Sequence, residues 1–138
     1  MYQVITKNRI VEIFSYLENG RPEDFFAHVS DDVKWEVTGS HPLAGVYYTK
    51  QSFIDGTIAR LNEVLESKLA LKVLNCFTDG NEAAVELVAD SYTKTQVHFN
   101  NRYCWVCQFE NEKIINVRAY LDSALVSSVL VAKLSTGK

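Results

Sequence analysis

Residues 68–124 carry four successive runs in which apolar side chains alternate with polar ones. A period of two sustained over that length points to an antiparallel sheet. In the first run Leu69, Leu71 and Val73 alternate with Lys68, Ala70 and Lys72, and Asp79-Gly80 then marks a hairpin turn. Residues 83–92, 97–110 and 114–124 complete a four-strand meander, interrupted by polar turns near Lys94 and at Asn111-Glu112-Lys113.

The first half of the chain has the other period. Ile10, Phe14 and Leu17 recur at helical spacing within residues 4–17, and Gly20 suits the stop. Pro22, with Glu23 and Asp24 behind it, is first-turn chemistry for a second short helix carrying Phe25 and Phe26. Val33, Trp35 and Val37 alternate as a strand, a turn-rich loop runs from Gly39 to Gly45, and Thr49 caps a third helix reaching about Glu66. Helices grouped ahead of an antiparallel sheet predict one α+β domain over residues 1–138, with the helices covering one sheet face.

Composition narrows the function classes. At 138 residues, 47% of them hydrophobic, the chain has enough apolar material for a core without staples. Its 14 Lys and Arg are scattered among 17 acids, which disfavours nucleic acid as a partner. The first residues lack the layout of a secretory signal, and no apolar run approaches the ~20 residues of a membrane span. The expectation is a cytoplasmic protein without a membrane partner. Cys104-Trp105-Val106-Cys107 matches C-x-x-C, but residues three apart on a strand face opposite ways, so neither a disulfide nor a metal site is expected from it.

Candidate site residues come from the strands and one loop. In the last strand Ile115, Val117, Ala119 and Leu121 share one face, and Asn116, Arg118, Tyr120 and Asp122 share the other. If the polar face meets the helices, Asp122 can serve as a general base beside Tyr120 and Arg118; if it meets water, it is a wet surface. A bulge could also exchange the faces partway. On the neighbouring strand Asn101, Tyr103, Trp105, Cys107 and Phe109 form the more apolar set. Glu86 is flanked by Val85 and Leu87; facing inward it would be desolvated, facing outward it would be an ordinary surface acid. His41 lies in the Gly-bounded loop between a strand and a helix, a common place for site residues. His28 and His98 are too far apart in the pattern to join it in a metal site.

The helical hairpin, the stretch from Val33 through Trp35-Glu36-Val37-Thr38-Gly39-Ser40-His41-Pro42 to Gly45, and the ending Tyr120-Leu121-Asp122 resemble the nuclear transport factor 2-like superfamily, in its SnoaL-like or ketosteroid isomerase-like branch. The resemblance extends to about Ser128. It implies a cone-shaped, curved antiparallel sheet wrapped around three N-terminal helices, a cystatin-like α+β roll, with an apolar interior and a homodimer formed through the sheet. Because one fold hosts many activities, the residues must decide. Val37 stands where ketosteroid isomerases carry their base, and Ile13 and Trp105 stand at their two oxyanion donors, a known system in its own right. Leu87 and Ala89 occupy positions where limonene epoxide hydrolases carry an Arg and an Asp. Both mechanisms are disfavoured.

SnoaL-like cyclases rely on one Asp, and Asp122 resembles it. The resulting expectation is a pocket protein for a small apolar or aromatic ligand, using no cofactor and no metal. Asp122 would be the acid/base for proton transfer next to a carbonyl. Tyr120, His41, Trp35, Tyr103, Trp105, Arg118 and Glu86 are the candidate binding residues. The alternative is a ligand-binding or dimeric interaction module of the same fold without catalysis.

Overall fold

The computed structural model describes residues 4–136, with side chains to residue 130. Helix α1 (Lys7–Glu18) begins where the Thr6 side chain accepts a hydrogen bond from the Arg9 amide, and it buries Ile10, Ile13, Phe14 and Leu17 on one face. Gly20, at φ +71°, turns the chain into α2 (Pro22–Phe26), whose Phe25 and Phe26 pack edge to face with ring centres 5.0 Å apart. Strand β1 (Val29–Val37) buries Val33, Trp35 and Val37, the alternation expected of it.

A short strand β2 (Gly45–Tyr47), which begins where the expected loop ends, pairs antiparallel with β1. Thr49 and Ser52 then form a reciprocal capping box at the start of α3 (Lys50–Phe53). The predicted third helix is continuous in space, but its middle widens into a π-helical turn over Ile54–Ile58 before α4 (Ala59–Val64). Within that turn the buried Thr57 hydroxyl donates to the Phe53 carbonyl at 2.7 Å.

The meander is present as β3 (Leu71–Asp79), β4 (Glu82–Ala89), β7 (Arg102–Glu110) and β8 (Lys113–Leu121). Two of the expected long strands are divided. Residues 83–92 break at Asp90 and residues 97–110 break at Asn100-Asn101, releasing a small arm, β5 (Ser91–Tyr92) paired with β6 (His98–Phe99). The arm leaves the main sheet because its backbone is recruited by the end of α4. The Glu66 amide donates to the Tyr92 carbonyl and the Lys94 amide to the Val64 carbonyl, each at 2.9 Å.

The main sheet runs β2-β1-β8-β7-β4-β3. The expectation of an antiparallel sheet needs one correction: β1 lies parallel to β8, since the chain leaves β1 through the helices and returns to its edge only at the end of the meander. Register shifts near Leu74 and Ile115 interrupt the ladders. Such irregularities bend strands and help curve the sheet around the helices. Beyond β8, α5 (Ser123–Thr136) closes over the cone with Val126, Val129 and Leu130 buried. The sequence suggests one apolar helical face from Val126, Val129, Leu130 and Leu134; Leu134 lies outside the described side chains. Among the described residues no helix is long and apolar enough to cross a membrane.

Candidate functional site

The curved sheet, the α3–α4 helix and the start of α5 enclose an apolar cavity of about 40 Å³. That is about three times the roughly 10–15 Å³ that one water requires. Trp35 on β1 and Tyr103 and Trp105 on β7 form its sheet wall, because each falls on the inward parity of its strand. Phe53, Thr57 and Leu61 supply the helical wall, one side of the helix that passes through the π turn. Val126 closes the end from α5, and His41 enters from the loop after β1.

The sheet wall is tightly built. Trp35 is fully buried, stacked on Phe53 with ring centres 3.8 Å apart and edge-on to Trp105 at 5.1 Å. Tyr103 meets Trp105 in a T-shaped contact at 6.3 Å. Burial pushes the Tyr103 phenol well above its ordinary range, opposed only by the neighbouring Asn101 amide, so at neutral pH its oxygen carries the proton.

His41 contributes shape to the wall. Its Nε2 lies 2.8 Å from the Thr38 carbonyl and its Nδ1 accepts from the Leu43 amide at 3.1 Å. These partners assign the proton to Nε2 and occupy both nitrogens with backbone. The ring therefore pins the loop, and neither nitrogen is free to exchange a proton with a ligand.

The remaining candidates lie elsewhere. The polar set of β8 faces water: Arg118 and Tyr120 are exposed on the outer side of the sheet, opposite the cavity. Glu86 also faces outward, accepting from the Asn75 side chain at 2.8 Å. Asp122 is exposed and absent from the cavity wall, although its chain neighbours in that wall are Leu121 and Val126. Its Oδ1 accepts from the Leu125 amide at 3.2 Å, the N-cap geometry of α5, and its own amide donates to Asn101 Oδ1 at 3.1 Å. No ion pair joins it to Arg118 among the described residues. The physical reason is that β8 ends at Leu121, so the strand alternation that placed Asp122 beside Tyr120 gives way to a helix start.

Asn101 is the residue whose place in the site went unassigned. It is 1% exposed, it joins the β7 wall to the α5 cap, and its polarity within an otherwise apolar inward set was the available signal. Cys104 and Cys107 occupy opposite faces of β7, and all three cysteines are free. Among the described residues no group of three or more His, Cys, Asp or Glu side chains could hold a metal ion.

The family model for the SnoaL-like domain matches residues 10–117. The chain belongs to the SnoaL-like domain family. This SnoaL-like domain is 27% identical over 125 residues to a fungal protein named dimerizing cyclase phiC; the match takes in 88% of the chain but spans only 55% of that relative's length. Among solved structures it is similar to an NTF2-like protein from Burkholderia thailandensis, with a TM-score of 0.76 at 17% identity, covering 89% of this chain and 95% of that one. TerC, crystallised with polyporic acid, superposes with a TM-score of 0.71 at 14% identity, covering 90% and 96%. A protein of cystatin-like fold from Xanthomonas campestris gives 0.73 at 17%, covering 88% and 95%. These likenesses establish the cone fold expected from the sequence. Val37, Ile13 and Trp105, which the resemblance set against the isomerase machinery, are all buried apolar side chains, and Val37 and Trp105 line the SnoaL-like cavity.

Proposed function

We propose that this SnoaL-like domain binds a small apolar or aromatic molecule inside the cone, and that any cyclase- or isomerase-type chemistry it performs depends on enclosing and orienting that molecule. The observation that carries this reading is a cavity walled by aromatic and aliphatic side chains from sheet, helix and loop together, without a carboxylate in the wall among the described residues. The fungal relative named a cyclase and the neighbour of the same fold crystallised with polyporic acid agree with it.

A one-ring hydrocarbon tests it directly. Ethylbenzene titrated into the protein should shift the resonances of Trp35, Phe53 and Leu61; because the cavity of about 40 Å³ is smaller than the ~150 Å³ that takes up benzene, binding requires the helical wall to move outward. Ala119→Leu, which adds three carbons to the cavity from β8, should weaken that binding by at least about 10-fold and cost about 1–3 kcal/mol of stability through overpacking. Absence of binding in the unsubstituted protein would remove the pocket reading.

A second reading keeps Asp122 as acid/base, favoured by its place between two cavity-lining residues in the chain. The two readings separate on substitution. As a helix cap, Asp122→Ala should cost about 1 kcal/mol and Asp122→Asn almost nothing, since Asn caps as well as Asp. As a base, Asp122→Asn should lose ~10²–10⁴-fold in turnover of a β-keto or polycyclic substrate at unchanged stability. Chemical denaturation and a substrate screen on both variants decide between them.

The outer sheet face suits the expected homodimer. Phe77 stands out from β3 at 61% exposed, beside Ala84 and Val106. Sedimentation equilibrium should therefore find a dimer that Phe77→Glu weakens; a monomer at all concentrations would exclude it.

A further inference from the structure

A cavity of about 40 Å³ takes in a one-ring ligand only if a wall moves, and its walls are not equally fixed. Strand β1 lies between β2 and β8, and β7 between β8 and β4, so Trp35, Tyr103 and Trp105 stand on strands bonded along both edges. Helix α5 is capped by Asp122 and reaches the loop after β1 where Ser127 Oγ donates to the Ser40 carbonyl at 3.4 Å.

The helical wall is fastened at its ends. Lys50 Nζ donates to the Phe26 and Val29 carbonyls at 2.9 and 3.2 Å, and at the other end the Glu66 amide and the Val64 carbonyl bond to the β5–β6 arm. Between these ends the π turn over Ile54–Ile58 makes no hydrogen bond outside its own helix among the described residues. Tyr47 of β2, half-buried, presses on it instead. A Cβ added at Gly56 would lie 2.5 Å from Tyr47 Cε1, so the ring occupies space that only a glycine leaves. The same ring meets Phe53 edge-on at 6.0 Å, and its hydroxyl donates to the Leu43 carbonyl at 2.8 Å. One side chain thus joins the turn to the loop that carries His41 and Leu43 into the wall. Arg60 of α4 also reaches that loop, at the Pro42 carbonyl, through an exposed bond of 3.2 Å.

We propose that the π-helical turn is a gate into the cone and that Tyr47 is its latch. The inference rests on the pocket reading above and adds the route by which a ligand arrives. Helices kink where their regular ladder is interrupted, and π turns recur at functional sites. Bowing outward between pinned ends carries Phe53, Thr57 and Leu61 away from the sheet. Because the Tyr47 ring rests on Gly56, that motion displaces the ring and breaks its bond to Leu43. The latch is closed in the free and in the liganded protein alike, so it sets rates and leaves affinity alone.

Tyr47→Phe keeps the ring and deletes the bond to Leu43. Ethylbenzene should then enter and leave about 3- to 10-fold faster by relaxation-dispersion NMR, the factor for one hydrogen bond, with Kd changed by less than about 2-fold. Exchange of the Ala59 amide, which closes the turn on the Ile54 carbonyl, should quicken by the same factor without ligand. Exchange of the Ile114 amide, bonded to the His28 carbonyl, should not change. Gly56→Ala, whose Cβ displaces the Tyr47 ring, should also quicken Ala59 exchange, although alanine favours a helix more than glycine does. Quickening of both amides together would make Tyr47 a structural residue and overturn the gate. Faster entry in Ser127→Ala but not in Tyr47→Phe would overturn it in favour of α5. Binding at unaltered rates in Tyr47→Phe overturns the gate and leaves the pocket reading standing. Absence of ethylbenzene binding in the unsubstituted protein overturns both.

Discussion

Trp35→Ala is expected to lower the free energy of unfolding by about 3–5 kcal/mol, the range for removing a buried aromatic from a packed core. The indole is fully buried, stacked on Phe53, edge-on to Trp105 and tilted against Phe26, so its loss strips three aromatic contacts and opens a void next to the existing cavity. The orphaned indole N–H works the other way, since deleting it removes an unmet donor. The net loss should therefore fall toward the lower end of the range, and Trp35→Phe should cost much less than Trp35→Ala. Urea midpoints at constant m-value measure both. Added indole should restore part of the lost Tm in Trp35→Ala, because a ligand that fits the void binds only the folded state. Failure of indole to raise Tm would mean that Phe53 and Trp105 collapse into the space.

Gly39→Ala is expected to destabilise by about 2–3 kcal/mol, for two separable reasons. Gly39 has φ +108°, a conformation that strains any residue with a Cβ. An added Cβ would also collide with Ser123 Oγ and lie 3.0 Å from His41 Cδ2 and 3.3 Å from Ser123 Cβ. Ser123 opens α5 and His41 enters the cavity wall, so the substitution pushes apart the loop and helix that close the cone. Combining it with Ser123→Ala should recover about 1 kcal/mol by relieving the Oγ collision, leaving the backbone strain in place. Ethylbenzene affinity should fall in Gly39→Ala and recover in the double variant. Unchanged affinity in both would show that this corner of the cone does not control the cavity.

Inward-facing residues were legible where the signal is local. Trp35, Tyr103 and Trp105 alternate with polar neighbours, and a period of two transfers directly to burial when the strand is regular. Loop composition likewise brought His41 forward, although only the structure shows that backbone occupies both its nitrogens. Arg118 and Tyr120 illustrate the limit. Their shared face was readable, but whether that face meets helices or water depends on which side the N-terminal helices pack. Asp122 failed for another reason: a strand pattern was extended one residue past the strand, where the same carboxylate becomes a helix cap.

The sequence by itself determined the first two helices, the strand through Trp35, the helix after Thr49, the four meander strands and with them the α+β class, because helical and strand periods, Pro22, Gly20, Thr49 and Asp79-Gly80 act over a few residues each. Motif order was enough to place the chain in its family. Tertiary structure alone decided the parallel pairing of β1 with β8, the departure of the β5–β6 arm toward α4, and the meeting of Trp35, Trp105 and Tyr103 in one cavity wall. Those outcomes depend on contacts between residues far apart in the chain, seventy positions in the case of Trp35 and Trp105. Such contacts follow from how curved surfaces fit together, and no local pattern encodes that fit.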